Sequence, residues 1–402
     1  MPTIPTVKIA FDLTLAGAGN FFTIGATPMG APPQAGALPI AGDVLTDVTS
    51  DVRNITVRRG RSRETDKFDA GIATVTVDNR TRLYDPAAGT AVSPYAPSLK
   101  PRKALTIEAN GQAVFTGQVE DIDLDYSLDG DSTTTFKASD GFTLLNQITL
   151  TSGTATVELS GDRVNETLND ADWPTLRRDI GAGLSTLGAD IIDDRQNALD
   201  YLNKIAASEP GAMFIARNGA LTFRDRIYSQ TPSGIVFADD GTGIPFSDLS
   251  VEYGTERLHT SIEVVYTGGT AVAINTASEL AYGVSVLRVE SLLSNDVQAQ
   301  DLADFYANKF GEPLLRVTSL QIPVDGLQGT NLGAVLGLDL GDQVTVRFTP
   351  NGIGDPLLQT VVVESIEHSI SPERHDMRLT LSQSLAGFIL NVSRLDIDGL
   401  GF

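Results

Sequence analysis

The chain first declares itself through alternation. Val52, Ile55 and Val57 are set among polar residues, and Val75 and Val77 alternate with Thr74, Thr76 and Asp78. A period of two is the mark of strands buried on one face. The stretches 104–109 and 112–119 repeat it on either side of Asn110-Gly111, the dipeptide best suited to a tight hairpin turn. An earlier strand is expected at 7–13, followed by an extended arm in which Pro28, Pro32, Pro33 and Pro39 are mixed with glycines. After Gly141 the period changes. A short helix is expected over 163–171, ending near Trp173-Pro174 because proline disfavours helical backbone just before it. A clearer one is expected over 197–207, with Leu199, Leu202, Ile205 and Ala206 on one face. A hairpin about Asn218-Gly219 follows. The last third returns to strands at 262–266, 285–290, 315–322, 343–348, 360–368 and 377–382. One helix interrupts them at 296–310, with Val297, Leu302, Phe305 and Tyr306 on a common side and Gly311 as its stop.

These elements predict a mainly β chain with a small α/β lobe. The expected division is an N-terminal strand and arm (1–42), a first β domain (43–140), the α/β lobe (141–230), a second β domain with one helix (231–390) and a tail (391–402). At 402 residues the chain is too long for one small core. No apolar run approaches the roughly 18 residues of a membrane span, and no secretory leader is visible, so a soluble protein is expected. Cysteine is absent, which removes disulfides and thiolate metal sites.

Charge changes the picture more than composition does. The chain carries a net −22, but residues 49–103 hold eleven Lys or Arg against six acids, a net of +5. The rest must therefore hold −27. Arg58, Arg59, Arg61 and Arg63 crowd the end of one strand, and such a split suits a basic region that docks on an acidic neighbour. The plainer alternative is a solvated basic loop. A nucleic-acid surface is disfavoured, because the whole chain repels phosphate and no aromatics interleave the arginines.

Candidate chemistry is sparse. His368 and His375 flank a turn at Ser371-Pro372-Glu373, with Glu364 expected on the same strand face as His368, but a zinc site lacks its remaining ligands. No H-E-x-x-H and no G-x-S-x-G occurs. Asp121, Asp123 and Asp125 alternate with Ile122, Leu124 and Tyr126, so the three carboxylates share one strand face. A calcium loop would need Gly and Glu where Tyr126 and Ser132 stand. That face then turns to water or to a channel. No catalytic residue, cofactor or metal site is expected.

The ordered string running from Val52-Arg53 through Arg58-Arg59-Gly60-Arg61-Ser62-Arg63, Ala73–Arg80, Tyr84-Asp85-Pro86 and Ser93-Pro94-Tyr95 to Leu99-Lys100-Pro101 resembles the minor tail proteins of siphophages that infect actinobacteria. The resemblance continues through Trp173-Pro174, Ala206–Glu209 and Phe223–Arg226, and weakens after Leu258. It implies a baseplate-hub protein of the virion tail tip, assembled in the host cytoplasm. It further implies two tail-tube-like β-barrel domains, a homotrimer whose six barrels meet a sixfold tail ring, and a channel for genome ejection. The implied partners are a distal tail ring protein, the tape measure protein and other tail-tip proteins, with DNA only in transit. An acidic lumen would let DNA pass without sticking, and Asp121, Asp123 and Asp125 are the candidate lining. A tip protein that binds or cleaves host cell-wall carbohydrate is the alternative. It is disfavoured because aromatic platforms are few and no stretch is left over for a separate catalytic domain.

Overall fold

The computed structural model describes residues 5–11, 44–227 and 232–384. Most of the expected arm and all of the expected C-terminal tail lie outside the described residues. The N-terminal part forms β1 (Thr6–Phe11), β2 (Val44–Asp47), β3 (Val52–Gly60), β4 (Asp69–Asp78), β5 (Ala104–Ala109), β6 (Gln112–Asp125) and β7 (Thr133–Ser139). The period of two works as expected: Ile55 faces Val75 and Val57 faces Ala73 across the β3–β4 ladder, all four buried. Asn110 and Gly111 both adopt positive φ (49° and 73°), the mirror-image turn that matches strand twist between β5 and β6. β1 is the early strand expected ahead of the arm. It lies between β5 and β2 in the sheet and buries Val7, Ile9 and Phe11.

The motif residues after β4 close one side of this lobe. The ring of Phe11 stacks on Tyr95 at 4.5 Å, Tyr95 stacks on Tyr84, and the Tyr84 hydroxyl donates to Asp51 at 2.6 Å. Asn79 is fully buried and accepts from the Tyr84 amide at 2.9 Å. Each buried ring contributes about 1.5–3 kcal/mol, so the string marks a packed loop rather than a site.

The middle lobe comprises α1 (Gly141–Leu145), β8 (Gly153–Ala155), β9 (Glu158–Leu159), α2 (Ser160–Asp170), β10 (Arg178–Ile180), β11 (Thr186–Leu187), β12 (Asp190–Ile192), α3 (Ala198–Ser208), β13 (Ala212–Ile215) and β14 (Leu221–Arg224). Asn197 caps α3 by accepting from the Asp200 amide at 3.0 Å. Trp173 is buried in the core.

The remainder forms β15 (Pro232–Ala238), β16 (Asp248–Glu252), β17 (Ser261–Tyr266), β18 (Gly269–Ile274), α4 (Thr276–Tyr282), β19 (Val286–Glu290), α5 (Asp296–Phe310), β20 (Arg316–Pro323), α6 (Gly329–Gly337), β21 (Gln343–Phe348), β22 (Leu357–Ser371) and β23 (Arg374–Gln383). Here two expectations change. The helix at 296–310 does not lie across the second β domain. With β17, β18, α4 and β19 it makes a separate unit inserted between β16 and β20, whose three strands run in the order β18-β17-β19. Its buried stripe is Ala299, Leu302, Ala303 and Phe310, while Val297 is exposed. Two alanines let the helix approach the sheet closely, and alanines do not announce a hydrophobic face.

The two β regions also do not stand apart. One 13-stranded sheet runs β16-β20-β23-β22-β3-β4-β7-β6-β5-β1-β2, with β21 and β15 branching from β22. The first half of β22 pairs with β21, and the second half pairs with β3 on the same edge, Ser365 facing Gly60 and Ile370 facing Ile55. A single long strand thus serves both lobes. At the crossing, Gly60 has φ +108°, and a Cβ there would lie 2.2 Å from the Glu364 carbonyl oxygen and 2.6 Å from the Ser365 Cα. Gly60→Ala is expected to destabilise the chain by at least roughly 1–3 kcal/mol, from backbone strain before any clash is counted. Thermal unfolding checks this, and an Ala variant as stable as its parent would show that the strands can part there freely.

Candidate functional site

The basic stretch resolves first. β3 ends with Arg58 pointing outward and Arg59 inward. Arg59 is buried, and its Nη1 donates to Asp339 Oδ1 at 2.8 Å. Arg61 Nε donates to Glu364 Oε2 at 2.6 Å, and its guanidinium lies 4.3 Å from the centre of the Phe68 ring. Arg58 pairs with Glu367, its cross-strand neighbour, at 3.2 Å, and Arg63 pairs with Glu256. The four arginines expected to face another subunit therefore take partners inside this chain, and only Arg58 and Arg63 remain half exposed. Glu364 and Glu367 come from β22, which pairs with β3, while Asp339 and Glu256 come from loops elsewhere in the C-terminal half.

Glu364 does not stand beside His368. In the β22–β23 ladder Val363 faces Leu381 and Ser365 faces Thr380, which leaves Glu364 as the extra residue of a bulge. It turns inward to Arg61 and accepts from Ser382 Oγ at 2.5 Å. Burial pushes its carboxyl up, but Arg61, Ser382 and Lys309 outweigh that and hold it below the usual glutamate range. The two histidines meet each other instead: His368 Nδ1 lies 3.0 Å from His375 Nε2, both rings buried. Burial pushes both imidazoles down, His375 to about 4, and the neighbouring His375 and Arg59 push His368 further. Among the described residues no group of three or more His, Asp or Glu is arranged to hold a metal.

Asp121, Asp123 and Asp125 lie on the exposed face of β6, while Ile122 and Leu124 turn toward the lobe. The face is not purely acidic. Lys137 of β7 stands opposite Asp121 and binds Asp123 at 2.5 Å, a contact that raises the lysine pKa.

Sequence reasoning missed a concavity among the described residues. A cleft of about 450 Å³ opens where the loop 61–68, the end of α3, β19, α5 and the middle of β22 converge. That volume is typical of a ligand-sized site. Its apolar lining includes Phe68, Met213, Leu287, Val289, Phe305 and Tyr306. Ion pairs cross its floor, Arg61 to Glu364 and Lys309 to Glu64 at 3.0 Å. Burial pushes the Tyr306 phenol up to about 12. Its ring stacks on Phe310, and its hydroxyl makes no hydrogen bond among the described residues. The contributing segments are far apart in sequence; the run Phe305, Tyr306, Phe310 was the only local hint.

No protein-family model matches this chain, and no curated protein sequence does either. Solved structures do match. The 43 kDa tail protein of prophage MuSo2 from Shewanella oneidensis is 12% identical, with a TM-score of 0.57 over 85% of this chain and 95% of its own. A tail protein from Neisseria meningitidis MC58 is also 12% identical, with a TM-score of 0.57 over 95% of this chain and 96% of its own. The mainly β fold with its large antiparallel sheet is therefore one that tail proteins have.

Proposed function

We propose that this chain is a structural hub subunit at the tip of a long, non-contractile phage tail, without catalytic activity of its own. Three copies form a ring that closes the tail tube. The observation that carries the reading is the likeness in fold to tail proteins along nearly the whole chain. The two β lobes joined through β22 add to it. Two lobes per chain, taken three times, match a sixfold tail ring by pseudo-symmetry. A distal tail ring protein and the tape measure protein are the neighbours this reading assigns, with DNA passing through. Arg58 and Arg63, half exposed at the joint between lobes, are the arginines left to contact a neighbour. Asp121, Asp123 and Asp125 are the candidate lumen face, where an acidic wall repels phosphate within the roughly 8 Å that physiological salt allows.

One experiment reads both parts. Mass photometry of the purified chain, followed by reconstruction of assembled tails, is expected to show three copies in a ring with an acidic lumen. A monomer or a hexamer of this chain would sink the hub reading. A lumen lined mainly by Lys and Arg would sink the lining.

A further inference from the structure

β19 is an edge strand, and that edge faces the cleft. Its inner side pairs in parallel with β17: the Ser261 amide donates to the Ser285 carbonyl, and the Ser291 amide donates to the Val265 carbonyl. Strand alternation then turns the amides and carbonyls of the even residues, Val286, Arg288, Glu290 and Leu292, away from β17. The last of these is already used. Leu292 accepts from the Gly188 amide at 2.8 Å and donates to Ser208 Oγ at 2.8 Å, and Leu187 forms an antiparallel bridge with Leu293. The middle lobe has thus begun a fourth strand on this edge and stops after one residue pair. Among the described residues, Val286, Arg288 and Glu290 have no strand beyond them.

We propose that this open edge receives an extended acidic peptide segment of a partner protein, added antiparallel as a fourth strand inside the cleft. An unpaired edge supplies main-chain hydrogen bonds, and the surroundings supply the side-chain preferences. Alternate side chains of the segment enter the apolar lining, against Phe68, Met213 and Phe305, with the free Tyr306 hydroxyl as a polar partner. The intervening side chains face the cleft mouth. There Lys67 and Lys204 carry no ion pair among the described residues, against one unpaired acid, Asp66. A net positive mouth on a chain of net −22 selects acidic residues at those positions. This reading does not rest on the number of copies in a ring, and its test uses the isolated chain.

The probe is a fluorescein-labelled peptide of about eight residues, slightly longer than a typical strand, repeating Glu-Phe-Glu-Val. The control replaces each Glu with Lys. Polarisation with the full chain is expected to show saturable binding of the acidic probe, about tenfold or more weaker for the control. Measured against Arg288→Ala, which already lacks the side-chain pairs with Glu263 and Glu290, Arg288→Pro removes one outward amide and no hydrogen bond to β17, and the pair Lys67→Glu with Lys204→Glu inverts the mouth. Each is expected to weaken binding by about tenfold or more. Should the proline variant fold poorly, hydrogen exchange on the parent chain replaces it: the amides of Val286, Arg288 and Glu290 are expected to slow when the acidic probe is added. The proposal is overturned if the acidic probe shows no saturable binding. It is equally overturned if binding ignores the charge inversion, or if those three amides exchange unchanged in the complex.

Discussion

Glu364→Ala is expected to destabilise the chain by about 3–5 kcal/mol, the loss typical when one member of a buried ion pair is removed. The carboxylate is almost wholly buried, and Arg61 opposite it is only 11% exposed. Without Glu364 the guanidinium, packed on the Phe68 ring at the cleft floor, loses the buried carboxylate that its Nε binds. The loss should be concentrated where β22 meets β3, since the Arg61 amide also donates to the Glu364 carbonyl at 2.9 Å. Replacing both members with apolar residues, Arg61→Met with Glu364→Leu, should recover much of the loss, because desolvation and attraction then disappear together. Urea unfolding of the two single variants and the double variant measures the coupling. A Glu364→Ala variant within about 1 kcal/mol of the parent would mean that water reaches this pair and that it fastens nothing.

The same joint shows what the sequence could and could not tell. Strands β3 to β6 were legible because alternation survives in a single sequence, whereas β7 was not expected. Helix α3 was legible through its apolar face, and α5 through its apolar side and the stop at Gly311. The charge imbalance pointed to an acidic neighbouring subunit, but Arg58, Arg59 and Arg61 also have acidic partners within the chain. These lie in the chain's own C-terminal half, at Asp339, Glu364 and Glu367, about 280 to 309 residues away in sequence. Nothing local distinguishes a partner in the same chain from one in the next subunit. The sharing of β22 between lobes was invisible for a related reason: a strand's alternation shows which face is buried but not which strands lie at its two edges. Glu364 was misplaced because a bulge inserts a residue without leaving a signature in composition. The cleft was missed because its walls come from separate segments, none of them polar enough or regular enough to mark a site alone.

Acid should loosen this joint before it affects the rest of the chain. His368 and His375 close the β22–β23 hairpin, and β22 carries His368 directly opposite Val57 of β3. With one ring nitrogen donating and the other accepting, the neutral pair is satisfied; two imidazolium rings would set N–H against N–H in a buried site. The groups facing the pair are Arg59, which disfavours charge on His368, and Asp325 and Asp376, which favour it on His375 but do not offset burial. In the unfolded chain a histidine titrates near 6.5, whereas folded His375 holds out to about 4. Between these values the unfolded state binds a proton that the folded state refuses, so stability falls as pH falls. His375 alone accounts for about 3 kcal/mol across that window at about 1.4 kcal/mol per unit, and His368 shifts in the same direction. The stabilisation is complete above pH 6.5 and is lost on acidification toward 4. Unfolding by urea at pH 7.5, 6, 5 and 4.5 is expected to trace this loss, with His375→Phe flattening much of it. A parent chain whose stability stays level from pH 7 down to 4.5 would show that the two rings take up protons in place, and the joint would then owe nothing to their neutrality.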